Sequence, residues 1–372
     1  RPRASGKSFG LARGCVPFPH FRLLQRICLV LTALLLLLVL SVREGHACTA
    51  FCADDGGKGA LVGKSYDWDS AEALVYVNPS GLHKRGLVLD GSEVAQWVSR
   101  YSSVTFNQYG REFPNGGMNE AGLVVEVLWL SSTEDEPADE RPAVNELQWV
   151  QRVLDTCAEL DEVEALLGEL RISSIYGTLH YFVCDAKANC AVLEFVDGKR
   201  ALYRGDALPA KALTNDDYPS SLAALSQVEG FGGRDAVPSD KTSLSRFART
   251  AAGLSFGTVE AAFEALDSVR VTTYTKWQIV YDLEARQIHY RTTAQPSIKW
   301  VKVDEVKRSC AQGAVSLDID TDASGDVSAL FEAASLARNV ELLDTVFKGL
   351  EGLPPGASYL LSGIGASYSC GE

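Results

Sequence analysis

The chain reads as an α+β protein of packed sheet and helix layers, and three observations predict this. Strand-type segments come in runs, then helical ones, then strands, helices and strands again, unlike the strict alternation of a doubly wound fold. Hydrophobic residues make up 46% of the 372, enough for a substantial core. The segment Leu123–Leu130 is almost wholly apolar, as expected of a strand covered on both faces.

Residues 1–26 are basic, with Arg1, Arg3, Lys7, Arg13, Arg22 and Arg26. An apolar run, Ile27–Leu40, follows and is shorter than the roughly 18–20 residues of a comfortable span. Gly45 and Ala47 then supply small residues at the −3 and −1 positions of a cut before Cys48. Together these predict a signal peptide over residues 1–47, removed to leave one domain over 48–372, secreted or periplasmic. The alternatives are an uncleaved anchor and a lipoprotein modified at Cys48. A lipobox wants a Leu-like residue three places before the cysteine, where Gly45 stands.

Beyond the cut, Cys48–Ala53 and Ala60–Asp67 read as a hairpin across the turn signal Asp54–Gly59. Its register sets Cys48 opposite about residue 65 and brings Lys64, Ser65 and Asp67 beside it. Further strands are expected at Leu87–Leu89, Val94–Val98 and Ser103–Phe106, with a turn over Gly116–Gly122 and an acidic loop over Glu134–Pro142. Asn145 with Gln148, and Asp161 with Glu164, read as capping boxes opening helices of about 12 and 10 residues. Thr178–Tyr203 reads as a three-stranded meander, and Ser243–Leu254 and Val259–Leu266 as helices. Trp277–Leu283 pairs with Gln287–Thr292 as a hairpin, and Val327–Leu350 reads as a terminal helix.

The net charge is −13. Losing residues 1–47 removes seven basic residues and one acid, leaving 28 basic and 47 acidic. Such acidity disfavours nucleic acid and anionic membranes as partners. Setting Cys48 aside, six cysteines follow the cut: Cys52, Cys157, Cys184, Cys190, Cys310 and Cys370. Cys184 and Cys190 flank a likely turn, where a disulfide and a pair of buried thiols both fit. With no Cys-x-x-Cys pair and scattered histidines, neither a metal site nor a cofactor is called for. Asp320–Gly325 partly matches a calcium loop, but its twelfth position is Phe331 rather than Glu.

A cysteine at a new N-terminus carries a thiol and a free α-amine together. The amine's ordinary pKa of about 7.7–8.0 lets it act as a base near neutral pH. Around this cysteine run ordered segments: Cys48-Thr49, Gly63–Trp68, Gly117–Leu123, Leu128–Leu130, Leu179–Tyr181, Leu213–Asn215, Ser245–Arg249 and Pro296–Trp300. In that order and spacing the chain resembles the choloylglycine hydrolase family, from Cys48 to about Val303. Residues 305–372 match only weakly.

The resemblance implies a four-layer αββα sandwich of N-terminal-nucleophile hydrolase type, commonly assembled as a homotetramer. It implies an amidase acting on small linear amides such as penicillin V, conjugated bile acids or N-acyl homoserine lactones. It casts Cys48 as nucleophile through a thioester, Asp67 as its orienting carboxylate and Asn215 as oxyanion donor. Arg246 would lower the thiol pKa, with Arg249 as the competing assignment. Lys64 stands where the family usually has Arg, and loses the two-pronged fork. Trp129 stands where many members have Asn, so a backbone N–H would replace one oxyanion donor. Trp129, Trp68 and Tyr66 are expected to shape the substrate pocket, with walls from loops such as Trp68–Tyr76 and Glu134–Pro142. Acidic Glu134–Glu140 would then disfavour anionic bile salts. The alternative to the amidase is a catalytically silent exported binding protein, or the lipoprotein above.

Overall fold

A computed structural model describes residues 47–54, 59–254, 257–349 and 356–371. All fall within the unit Gly45–Glu372. Of the expected leader over 1–47, residues 1–46 lie outside the described residues. Among those described, no helix is long and apolar enough to cross a membrane.

Two large sheets dominate. The first runs Ala212–Leu213, Thr49–Asp54, Ala60–Asp67, Thr275–Asp282, Gln287–Thr292, Lys299–Lys302 and Gly325–Asp326. The second runs Lys199–Arg204, Cys190–Val196, Leu179–Cys184, Val124–Trp129, Gly116–Asn119, Ser103–Asn107, Leu74–Asn78, Val315–Asp318 and Glu332–Ala333. One apolar core joins both sheets through Phe51, Val62, Val75, Phe106 and Phe182, and takes in helices Ser243–Ala252 and Val259–Val269. A second core covers the outer face of the second sheet with helices Glu146–Thr156 and Leu160–Glu169. The layers are therefore helix, sheet, sheet, helix.

Local chemistry explains the pieces. In Glu146–Thr156, Trp149, Val150, Val153 and Leu154 recur on one face and are fully buried. Each such side chain contributes about 1.5–3 kcal/mol by leaving water. Asn145 caps the helix by accepting from the N–H groups of Leu147 and Gln148. Gly63 is required by a close approach: a Cβ there would lie 2.2 Å from the Phe51 ring.

The N-terminal hairpin forms with Thr49 paired to Ser65, one residue from the expected register. The meander, the 275–292 hairpin and the two helices between Ser243 and Val269 also form. Other expectations are corrected. Leu87–Leu89 is not a strand; the pairing segment is Leu82–Arg85, the middle strand between Ser369–Cys370 and Gln96–Val98, whose alternating burial suits a small sheet covered on one face. Gly116–Asn119 pairs as a strand, and only the residues after it turn. The second capping box uses Glu159 and Glu162, not Asp161 and Glu164, because the helix starts at Leu160. Val327–Leu350 breaks up: the helix spans Leu336–Val346, and a further helix spans Ala357–Ala366. Cys184 and Cys190, opposite each other on adjacent strands, form a disulfide, and so do Cys310 and Cys370.

Candidate active site

The site is built at the start of the first sheet. Cys48 is buried, with Sγ 3.8 Å from the carbonyl oxygen of Asp67 on the neighbouring strand. The hairpin creates this proximity, since Asp67 ends the strand that pairs with the strand after Cys48. Burial pushes the Cys48 thiol up, while the Lys64 charge, and more weakly that of Arg246, pull it down.

Arg246 holds the backbone around Cys48. Its Nη1 donates to the carbonyls of Ala47 and Cys48, the latter at 2.6 Å, and to Thr49 Oγ1 at 2.8 Å. Its Nη2 donates to Asn215 Oδ1 at 2.8 Å. Arg249 turns elsewhere, donating to the carbonyls of Pro238, Asp240 and Ser268. Of the two arginines, Arg246 is the one that lies against the Cys48 backbone. Asn215 Nδ2 donates to the Trp129 carbonyl at 2.8 Å, which leaves the amide one further N–H. Behind it, buried His180 bridges Glu194 (2.9 Å) and the Thr214 carbonyl (2.7 Å), tying two of the sequence segments together.

Asp67 is wholly buried. Ser65 Oγ donates to its Oδ1 at 3.1 Å, and its Oδ2 has no hydrogen-bond partner. Burial pushes this carboxyl up to about 6, against the opposing pull of Thr275, Arg246, Ser65 and Lys64. A buried carboxylate oxygen with no donor is costly and calls for a polar neighbour.

Lys64 crosses from the first sheet to the second. Its Nζ donates to the Val127 carbonyl and lies 3.7 Å from Glu126 Oε2. Sequence reasoning missed Glu126, which sits in a run that otherwise reads as buried apolar strand. Tyr281 donates to its Oε1, and a Cβ at Gly116 would lie 2.4 Å from its carboxyl. Burial pushes Glu126 up to about 7, with Lys64 and Tyr281 opposing.

A glutamate whose folded pKa exceeds its unfolded value of about 4.3 holds its proton more tightly when folded. Its contribution to stability is therefore lost as pH rises from about 4.3 through about 7. Glu126→Gln cannot ionise and is expected to flatten the fall of melting temperature over that interval. Equal slopes for the two proteins would refute this.

Beside Cys48 opens a cleft of about 940 Å³, counting its open mouth. Tyr66, Trp68 and Trp129 line it, as expected, and so do Tyr109, Phe113 and Tyr176. Tyr66 stacks on Trp277 with ring centroids 3.9 Å apart, and Trp68, Trp129 and Tyr176 continue the aromatic run at 5.7 and 6.4 Å. Of the loop expected over Trp68–Tyr76, only Trp68 lines the cleft, because Leu74–Asn78 is a sheet strand. Glu134–Pro142 is not among the described lining residues, although Asp135 of that loop accepts from the Ser174 N–H, next to the lining residues Ile175 and Tyr176. No Lys, Arg or His belongs to the described lining. The one carboxylate, Glu146, is occupied by the N–H groups of Ile175, Tyr176 and Gly177.

The family model for linear amide C–N hydrolases, choloylglycine hydrolase family, matches residues 48–262 and begins at Cys48. A penicillin V acylase from Pectobacterium atrosepticum is 26% identical, over 81% of this chain and 94% of that one. The solved structure of a penicillin V acylase from Agrobacterium tumefaciens superposes with a TM-score of 0.68 at 22% identity, over 77% of this chain and 98% of that one. A conjugated bile acid hydrolase from Clostridium perfringens superposes with a TM-score of 0.59 at 16% identity, over 75% and 98%. At these identities the two structural likenesses speak to the fold.

Proposed function

The chain belongs to the choloylglycine hydrolase family of linear amide C–N hydrolases, and from that premise we propose that it is an exported amidase with Cys48 as its N-terminal nucleophile. In this reading the leader is cut between Ala47 and Cys48, which frees an α-amine beside the thiol. The observation that carries it is the buried Asp67 carboxylate, which lies close enough to Cys48 to act on its thiol and whose Oδ2 no donor meets within hydrogen-bond distance. In this reading the new ammonium is the polar partner of that oxygen. Arg246 loses Ala47 as an acceptor but keeps the Cys48 carbonyl and Thr49 Oγ1.

The α-amine takes the thiol proton, and the sulfur attacks the amide carbonyl. The remaining Asn215 N–H and a backbone N–H meet the developing oxyanion. The α-ammonium returns its proton to the leaving amine as the C–N bond breaks, leaving a thioester. Water, deprotonated by the α-amine, then attacks the thioester carbonyl; the C–S bond breaks, the carboxylic acid leaves, and the α-ammonium returns its proton to the Cys48 sulfur. An apolar acyl group suits the cleft, among whose described lining residues there is no cation for an anionic acyl tail.

The test is amine release by purified protein with a mass-verified N-terminal Cys48. Penicillin V, glycocholate and decanoyl homoserine lactone form the panel. Turnover of at least one of them is expected. A free N-terminal cysteine with none turned over would overturn the reading.

A further inference from the structure

Two of the residues lining the cleft, Phe347 and Leu361, come from the end of the chain, far beyond the family match over 48–262. Phe347 directly follows helix Leu336–Val346 and Leu361 lies in helix Ala357–Ala366, and both helices are fastened to the rest of the fold. Asn339, in helix Leu336–Val346, accepts at one oxygen from Tyr76 Oη (3.0 Å) and from the Arg111 N–H (2.9 Å). Arg111 Nη1 donates in turn to the Gly365 carbonyl at 3.2 Å, in helix Ala357–Ala366. Tyr368 Oη donates to the Arg85 carbonyl at 2.8 Å. Ser369–Cys370 pairs with Leu82–His83, and Cys370 is bonded to Cys310.

The bracing converges on the turn Gly110–Glu112. Its flanking residues Tyr109 and Phe113 themselves line the cleft. At Gly110, with φ +86°, a Cβ would stand 3.0 Å from Asn339 Oδ1 and 3.2 Å from Leu343. Glu112 holds a left-handed φ of 76°, a conformation that persists only where its surroundings enforce it. Lys84 does so, 2.7 Å from Glu112 and 3.0 Å from Asp155, all three buried. The C-terminal helices thus add two apolar side chains to the cleft directly and brace two aromatic ones from behind.

We infer that this C-terminal segment is the specificity-determining wall of the acyl cleft, and that it selects long, uncharged aliphatic acyl chains over short ones. The inference rests on the amidase reading above for its substrate. Phe347 and Leu361 line the same cleft as Cys48, Tyr66 and Trp68, so an acyl chain long enough to reach them covers their apolar surface, which a shorter one leaves uncovered. Among the described lining residues a terminal carboxylate or sulfonate meets no counter-ion, which favours an aliphatic, neutral class.

The test compares dodecanoyl and butanoyl p-nitroanilides with wild type, Leu361→Ala, Phe347→Ala and Leu361→Trp, melting temperature serving as the folding control. The ratio of kcat/KM for dodecanoyl over butanoyl is expected to fall roughly tenfold in each variant. A second readout needs no catalysis: in the Cys48→Ser background, dodecanoate binding followed by tryptophan fluorescence should weaken by a similar factor. An unchanged ratio or unchanged dodecanoate affinity in folded variants would overturn the inference. If wild type releases no nitroaniline, the amidase reading suffers, and the binding measurement still decides whether the wall recognises an aliphatic chain.

Discussion

Cys48→Ser is expected to lower amide turnover by on the order of 10⁴-fold or more. Protein that retains Ala47 ahead of Cys48 is expected to lose roughly 10²–10⁴-fold although its thiol is intact. The two losses have different physical origins. Serine offers a poorer nucleophile to the same base. A retained Ala47 turns the amine into an amide, which cannot take a proton. The thiol does not ionise well unaided, because burial pushes it up and the nearby Lys64 and Arg246 charges only partly counter that. In the mature form kcat/KM should rise with pH through the amine's pKa, about 7.7–8.0 when unperturbed. The extended form should lack that limb. Amine release by mass-verified mature and extended protein decides the matter, and equal activity of the two would sink the N-terminal base.

What could be read in advance depended on how local the signal was. Asp67 was placed beside Cys48 because a turn and a two-residue period set hairpin register, and that register slipped by only one residue. Arg246 was recognisable by motif, but Arg249 was separable from it only once the helix had a neighbour to face. Glu126 was invisible because its partners Lys64 and Tyr281 come from other strands of the opposite sheet. The cleft escaped for the same reason. The acidic loop at 134–142 looked like a wall and is not among the described lining residues, whereas Phe347 and Leu361 carry no local mark of a binding role. The broken C-terminal helix was missed because apolar spacing persists there across Glu332–Ala333, which pair as a strand with Val315–Ser316.

Asn215→Ala is expected to reduce kcat by about 10²–10³-fold with a much smaller change in KM, the signature of a donor that acts on developing charge. The orientation of the amide supports this. Arg246 Nη2 donates to its oxygen, so the nitrogen points toward the Trp129 carbonyl. One N–H is engaged there, and the proposed reading assigns the other to the oxyanion. Asn215 could instead serve only to hold Arg246, and Asn215→Asp separates the two roles. Aspartate keeps, and strengthens, the contact with the guanidinium, but it donates nothing and sets negative charge where the oxyanion forms. A donor role therefore predicts that Asp is at least as damaging as Ala. Substantial recovery of kcat by Asp would assign Asn215 to positioning alone and return the oxyanion to backbone N–H groups.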